Sequence, residues 1–328
     1  MKASRFIVLP AAAALAFGVA ACGGDEESSS GSVEGGDLSG TIAIDGSSTV
    51  FPFAQAAAEQ FMGENPEVKI TVGQSGTSGG FEKFCAGEID ISDASRPIDA
   101  KEEVPICKKE GVEYRELEVA RDGISIVTNP AIEAGCLTTD QLKQYWEKGS
   151  TVSNLSDLGD DADTGEPLPD AELSGYGPGT DSGTFEFFTE EVNGEEGNSR
   201  TDYQASEDDN VLVEGVTGDE AGFGYFGFSY YEQNVDALNL VSVDEGQGCV
   251  APSVETIQSG EYSPLARPLF MYPSEEALQT PEVEAFLQFT LDNYQEIAET
   301  AQIVPMSEDT AQKSTDTLSQ GSASAGAN

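Results

Sequence analysis

Short apolar runs alternate along the chain with longer stretches of helical period. Residues 41–44, 69–72 and 89–91 read as strands; 52–61 and 80–85 read as helices, and a charged stretch leads from the third strand to Lys109. Residues 123–128 form a further strand, and 137–146 a helix with Thr138 or Thr139 as its cap. Similar alternation runs from 173 to 243, and a strand at 267–272 precedes an amphipathic helix over 281–294. Strand and helix in this order predict an α/β fold with mainly parallel sheets flanked by helices.

The body from about Leu38 to Asp309 is large for one sheet, so two lobes are expected. Crossings are placed near Asp122 and near Ala251–Pro252, which puts lobe I at 38–121 plus 252–313 and lobe II at 122–251. After Lys313 the composition turns to Ser, Thr, Gly and Ala, and 314–328 is expected to be a disordered tail.

Ahead of the body, Lys2 and Arg5 precede an apolar run from Phe6 to Ala21, interrupted by Pro10 and ending at Cys22. This is the layout of a signal peptide over 1–21, and the run falls short of a comfortable membrane span. Val19-Ala20-Ala21-Cys22 resembles a bacterial lipobox, which implies lipidation of Cys22 and anchorage to the extracytoplasmic face of the cell membrane. Residues 22–37, rich in Gly, Ser, Asp and Glu, read as a flexible linker.

Four further cysteines suit two disulfides in an exported protein. Of the three pairings, Cys85–Cys107 and Cys136–Cys249 are preferred: the first closes a short loop, and each falls within one lobe, so neither locks a hinge. With no histidine and no C-x-x-C spacing, neither a metal site nor any other cofactor is expected. Lys and Arg number 15 against 60 Asp and Glu; without Lys2 and Arg5 the balance is 13 against 60, or −47. That field excludes nucleic acid as a partner and reads as a solvated acidic surface. An anion is held against such a field only by local groups, since salt screens distant charge beyond about 10 Å.

Such groups are dense at four strand-to-helix junctions. Three are rich in Gly, Ser and Thr: Asp45-Gly46-Ser47-Ser48-Thr49, the stretch from Gly73 to Gly80, and Tyr176-Gly177-Pro178-Gly179-Thr180-Asp181-Ser182-Gly183-Thr184. Each offers free N–H donors and hydroxyls at a helix start, the local means of holding a small anion. The fourth, Ile91-Ser92-Asp93-Ala94-Ser95-Arg96-Pro97, carries both charges. There Arg96 pairs with the anion and Asp93 accepts a proton from it, unless the two pair with each other. Gly76-Thr77-Ser78-Gly79-Gly80 matches the G-x-S-x-G elbow, but a chain without histidine cannot form a Ser-His-Asp triad, and the S-x-x-K spacing is absent. No enzyme is expected; a secreted hydrolase stays as the weaker alternative, beside a binder of another oxyanion such as molybdate.

These junctions resemble the phosphate-binding proteins of Pst-type ABC transporters, a likeness continued in Phe84-Cys85-Ala86-Gly87-Glu88-Ile89-Asp90-Ile91, Ser206-Glu207-Asp208-Asp209-Asn210, Gly224-Tyr225-Phe226-Gly227 and Arg267-Pro268-Leu269. The resemblance implies a two-lobed periplasmic-binding fold of type II that closes on inorganic phosphate and docks, as a monomer, on a membrane permease. It implies ligand contacts from Ser48 or Thr49 and Thr77 or Ser78 in the first lobe, a proton-accepting Asp93, and a grip by Asp181, Ser182, Gly183 and Thr184 from the second. Better-known members carry an Arg and an Asp just before Ser-Gly-Thr, where this chain has Pro178 and Thr180. Arg96 is the first candidate for the missing arginine and Arg200 the second.

Overall fold

In the first strand, Gly40–Gly46 (β1), Ile42 and Ile44 are buried while their neighbours are open on the other side, the alternation of a strand half-covered by helices. The computed structural model describes residues 38–320; Cys22, the signal segment, the linker and 321–328 lie outside them. After β1 come α1 (Phe51–Glu64), β2 (Val68–Val72), α2 (Thr77–Cys85), β3 (Ile91–Ala94), α3 (Glu103–Glu110) and the long β4 (Leu117–Thr128). The chain continues through β5 (Cys136–Thr138), α4 (Thr139–Trp146), β6 (Ser174–Pro178), α5 (Gly183–Glu191), β7 (Gln204–Ser206) and α6 (Asp209–Gly218). Then follow β8 (Gly222–Gly227), α7 (Phe228–Glu232), β9 (Asn239–Asp244), α8 (Val254–Ser259) and β10 (Ala266–Pro273). The last elements are α9 (Pro281–Asp292), α10 (Tyr294–Ala301), β11 (Val304–Pro305) and α11 (Glu308–Ser319).

Strands run in the order β2-β1-β3-β10-β4-β8-β6-β7. Pairing is parallel within β1, β2 and β3 and within β6, β7 and β8, and antiparallel where β10 and β4 join the two groups. This is the α/β, two-lobed arrangement of a type II binding protein. One core gathers Ile42, Phe53, Phe61, Val119, Leu269 and Phe286, and another gathers Ile126, Trp146, Phe188, Tyr225 and Val241. Strand β4 serves both: Leu117 and Val119 enter the first core, Ile124 and Ile126 the second, with Asp122 between them.

Three expectations are corrected. The return crossing lies near residue 266, not at Ala251–Pro252, because Ile257, Tyr262 and Leu265 pack in the second core and the Tyr262 hydroxyl donates to the Ile124 carbonyl. Residues 314–319 belong to α11 instead of a tail: Ser307 caps its start, Leu318 and Ser314 are buried, and Arg115 donates to the carbonyls of Thr317 and Leu318 at its end. The third strand spans Ile91–Ala94 where 89–91 was expected, so Ser92 and Asp93 lie within the sheet.

Both preferred disulfides, Cys85–Cys107 and Cys136–Cys249, are formed. Thr138 caps α4 in a reciprocal box with Gln141.

Candidate functional site

The N-termini of α1 and α2 open at the C-terminal ends of β1 and β2, where open α/β sheets place ligands. Neither helix has a side-chain cap, whereas α5 is capped by Ser182, whose hydroxyl accepts from the Thr184 N–H. The uncapped start of α2 leaves backbone donors for an anion, whereas at α1 Phe51 N–H already donates to the Ser47 carbonyl and Pro52 has no N–H; the helix dipoles add a partial positive charge. Asp45 shapes the loop between β2 and α2: it accepts from Ser75 N–H at 2.9 Å and pairs with Lys83 at 2.5 Å. That ion pair and the Ser78–Arg96 hydrogen bond, in which Ser78 accepts from a guanidinium, leave the elbow serine without a base.

Asp93 sits at the end of β3, fully buried, and neither carboxylate oxygen has a hydrogen-bond partner among the described residues. Burial, reinforced by Asp45, pushes its carboxyl well above the usual carboxylate range. The expected alternative, an Asp93–Arg96 pair, is not formed. Arg96 instead grips Glu103 in a fork of 2.7 and 2.9 Å and lies over the Phe81 ring. Arg200 is likewise committed elsewhere: it holds Asp202 and the carbonyls of Tyr145 and Val152 inside the second lobe.

The arginine between the lobes is Arg267, which the sequence reading did not single out as a site residue. Its Cα is the direct cross-strand partner of Asp122, so the pair joins the two strands that link the lobes. Nε donates to Asp122 at 3.1 Å, while Nη2 donates to Thr49 Oγ1 at 2.6 Å and to the Gly183 carbonyl at 3.1 Å. The guanidinium stacks on Phe187, 3.9 Å from its centroid, and no hydrogen bond engages Nη1 among the described residues. Burial holds its pKa below the ordinary arginine value, against the opposing pull of Asp122. The one signal available earlier was a lone cation within the apolar run 265–272.

Two features bring the lobes into contact at this point. A Cβ on Gly183 would lie 2.2 Å from Thr49 Oγ1, so only glycine fits there. Ser48 donates to Glu186 across the cleft at 3.2 Å. A cleft of about 930 Å³ lies alongside, lined by Ser48, Thr77, Ser78, Arg96, Asp181 and Arg267. Thr49, Ser182, Gly183 and Thr184 line a smaller cavity of about 320 Å³ with Asp122. Of the expected residues, Thr49 and Gly183 thus bond Arg267, Ser48 and Asp181 line its cleft, and Ser182 and Thr184 line the smaller cavity. Thr77 and Ser78 line the same cleft, where Thr77 Oγ1 is 3.1 Å from Ser95 Oγ.

Two lobes joined by paired strands, with uncapped helix starts and a buried arginine at their contact, define a solute-binding receptor built for an anion. The chain belongs to the PBP superfamily, whose domain model matches residues 31–293. Among curated relatives it is 43% identical over 266 residues to Protein SphX of Synechococcus elongatus, covering 81% of this chain and 77% of that one. It is 35% identical over 324 residues to the phosphate-binding protein PstS of Staphylococcus aureus, covering 97% and 93%. Among solved structures, a possible phosphate binding protein from Planctomyces limnophilus is 43% identical with a TM-score of 0.78, over 86% of this chain and 98% of that one.

Proposed function

We propose that this chain is an extracytoplasmic receptor that captures inorganic phosphate between its lobes and delivers it, without chemical turnover, to the permease of an ABC importer. The observation that carries the ligand assignment is Asp93: a buried carboxyl with two unpartnered oxygens on the strand next to β1, whose backbone carbonyl accepts from Ser47 N–H in the turn that leads into α1. Such a group repays its burial only when a ligand completes its hydrogen bonds. HPO₄²⁻ brings a proton that the Asp93 carboxylate accepts, whereas sulfate brings none and must find Asp93 already protonated. Backbone donors of α1, α2 and the Ser182-Gly183-Thr184 turn, the hydroxyls of Ser48, Thr49, Thr77 and Ser78, and the Arg267 fork supply the remaining contacts. The names of the curated relatives, phosphate-binding proteins at 35–38% identity over most of the chain, support the same reading.

The placement follows from the sequence. Cys22 is the acylated N-terminus that tethers a monomeric receptor to the membrane, and among the described residues no helix is long and apolar enough to cross one.

Titration calorimetry with phosphate, arsenate, sulfate and molybdate tests the ligand assignment. Once pH exceeds the raised titration range of Asp93, sulfate is expected to bind at least about a hundredfold more weakly than phosphate, and the gap narrows as pH falls, because sulfate depends on a protonated Asp93. Asp93→Asn is expected to weaken phosphate about tenfold or more and to spare sulfate. Equal phosphate affinity in this variant sinks the role of Asp93, and preferential molybdate binding sinks the choice of ligand.

A further inference from the structure

A carboxylate of the second lobe reaches one of the hydroxyls assigned to the ligand. Glu186, in the first turn of α5, belongs to the second lobe, yet it accepts a hydrogen bond from Ser48 Oγ, in the turn that leads into α1 of the first. Ser48 is one of the hydroxyls assigned to the ligand, and α1 starts without a side-chain cap. A half-buried carboxylate at that place presents to Ser48 what an oxyanion would present: an anionic oxygen at hydrogen-bond distance. We propose that Glu186 is a specificity-determining internal competitor, which holds Ser48 in the empty receptor and must yield it when the oxyanion enters.

The inference rests on the phosphate reading above and extends it. Binding then exchanges one anion for another at Ser48, so net affinity reflects the difference between ligand and carboxylate. A weakly held anion fails to displace the carboxylate, while one that also satisfies Asp93 and Arg267 succeeds. The surroundings keep the exchange close to balance. Glu190 on the same helix and Glu196 beyond it disfavour the ionised carboxylate, and Arg267 from β10 favours it. Asp181 and Glu245 face the same cleft, as does Arg96, whose charge is taken up by Glu103. Burial, ahead of the neighbouring Glu196 charge, raises the Glu186 pKa above the ordinary glutamate value.

The sign of the pH dependence follows. At high pH Glu186 is ionised and competes with the ligand. As pH falls through its raised titration range it takes up a proton, and competition fades. Glu186→Gln keeps the shape and removes the charge at every pH, so the ratio of wild-type to variant dissociation constants isolates the carboxylate, with ligand protonation common to both.

Calorimetry with inorganic phosphate on wild type, Glu186→Gln and Glu190→Gln reads this ratio. Glu186→Gln is expected to bind about five- to tenfold tighter than wild type near about pH 8, the ratio falling toward one as pH drops through the carboxyl's raised titration range. Glu190→Gln, which lacks the contact to Ser48, is expected to shift affinity by less than about twofold. Glu186→Ala repeats the test should the glutamine variant fold poorly. Phosphate binding with a Glu186→Gln ratio of one at all pH, or with weaker binding at high pH, overturns the inference alone. Absence of phosphate binding by wild type and variants alike overturns the reading beneath it as well.

Discussion

The interior of the second lobe and the junction between the lobes each bury one arginine, and the two make opposite uses of it. Arg200 spends every nitrogen inside its own lobe: Nε and Nη2 on Asp202, and Nη1 on the carbonyls of Tyr145 and Val152. Its guanidinium lies 4.4 Å from the Tyr145 centroid, and the hydrogen bonds to Asp202 raise its pKa. Arg267 has the same ingredients, an aspartate and an aromatic face, yet burial lowers its pKa and Nη1 stays without a protein partner among the described residues. Both are largely shielded from solvent, though Arg267 also lines the cleft, so shielding alone does not mark a site. Incomplete satisfaction does, because a buried charge short of partners is stable only if something else completes it.

The same substitution in both places breaks the comparison most sharply. Arg267→Lys keeps a cation beside Asp122 but loses the planar fork that reaches Thr49 and Gly183 together. Phosphate affinity is expected to fall about a hundredfold, roughly 3 kcal/mol, by calorimetry. An unchanged affinity would reduce Arg267 to a hinge fastener. Arg200→Lys should leave affinity within about twofold, since no ligand contact is lost. It leaves backbone carbonyls of Tyr145 and Val152 unpaired, and is expected to cost about 2 kcal/mol, seen as a fall in Tm of about 5 °C. A weakened affinity with unchanged Tm would reverse the assignment of the two arginines.

How far each arginine was legible in the sequence follows from where its partners come from. The hydroxyl-rich turns around Ser48, Ser78 and Ser182 announce themselves locally, because cap and turn chemistry is read within a few residues. Strand and helix order was legible for the same reason. Arg267 depends on β4 and β10 pairing across a separation of 145 residues, and on Thr49 at a separation of 218, which no local pattern records. Helix α11 was missed because its face carries few apolar residues; what holds it is a cap at Ser307, buried Leu318 and the distant Arg115. The return crossing was misplaced because Cys249 ends an obvious pattern, while Ile257 and Tyr262 reveal their lobe only through packing.

The rule that separates the arginines also applies to Asp93, with the smallest expected effect. Its carboxyl is fully buried and its oxygens lack partners, so the ligand-free protein carries a cost that grows as the group ionises. Because its pKa is raised on folding, the neutral form is the one the fold accommodates. The stability this contributes is fully present below the unfolded-state pKa and is lost as pH rises through the folded value. Asp93→Asn removes the ionisation while keeping the shape. Freed of phosphate, the variant is expected to melt about 3 °C higher than wild type near about pH 8, roughly 1 kcal/mol, and within about 1 °C of it near about pH 4. Calorimetric melting of both proteins across that range checks it. A gap of constant size would trace the cost to packing and not to charge; a closing gap, with weaker phosphate binding in the same variant, would show stability held below its maximum by the group that recognises the ligand.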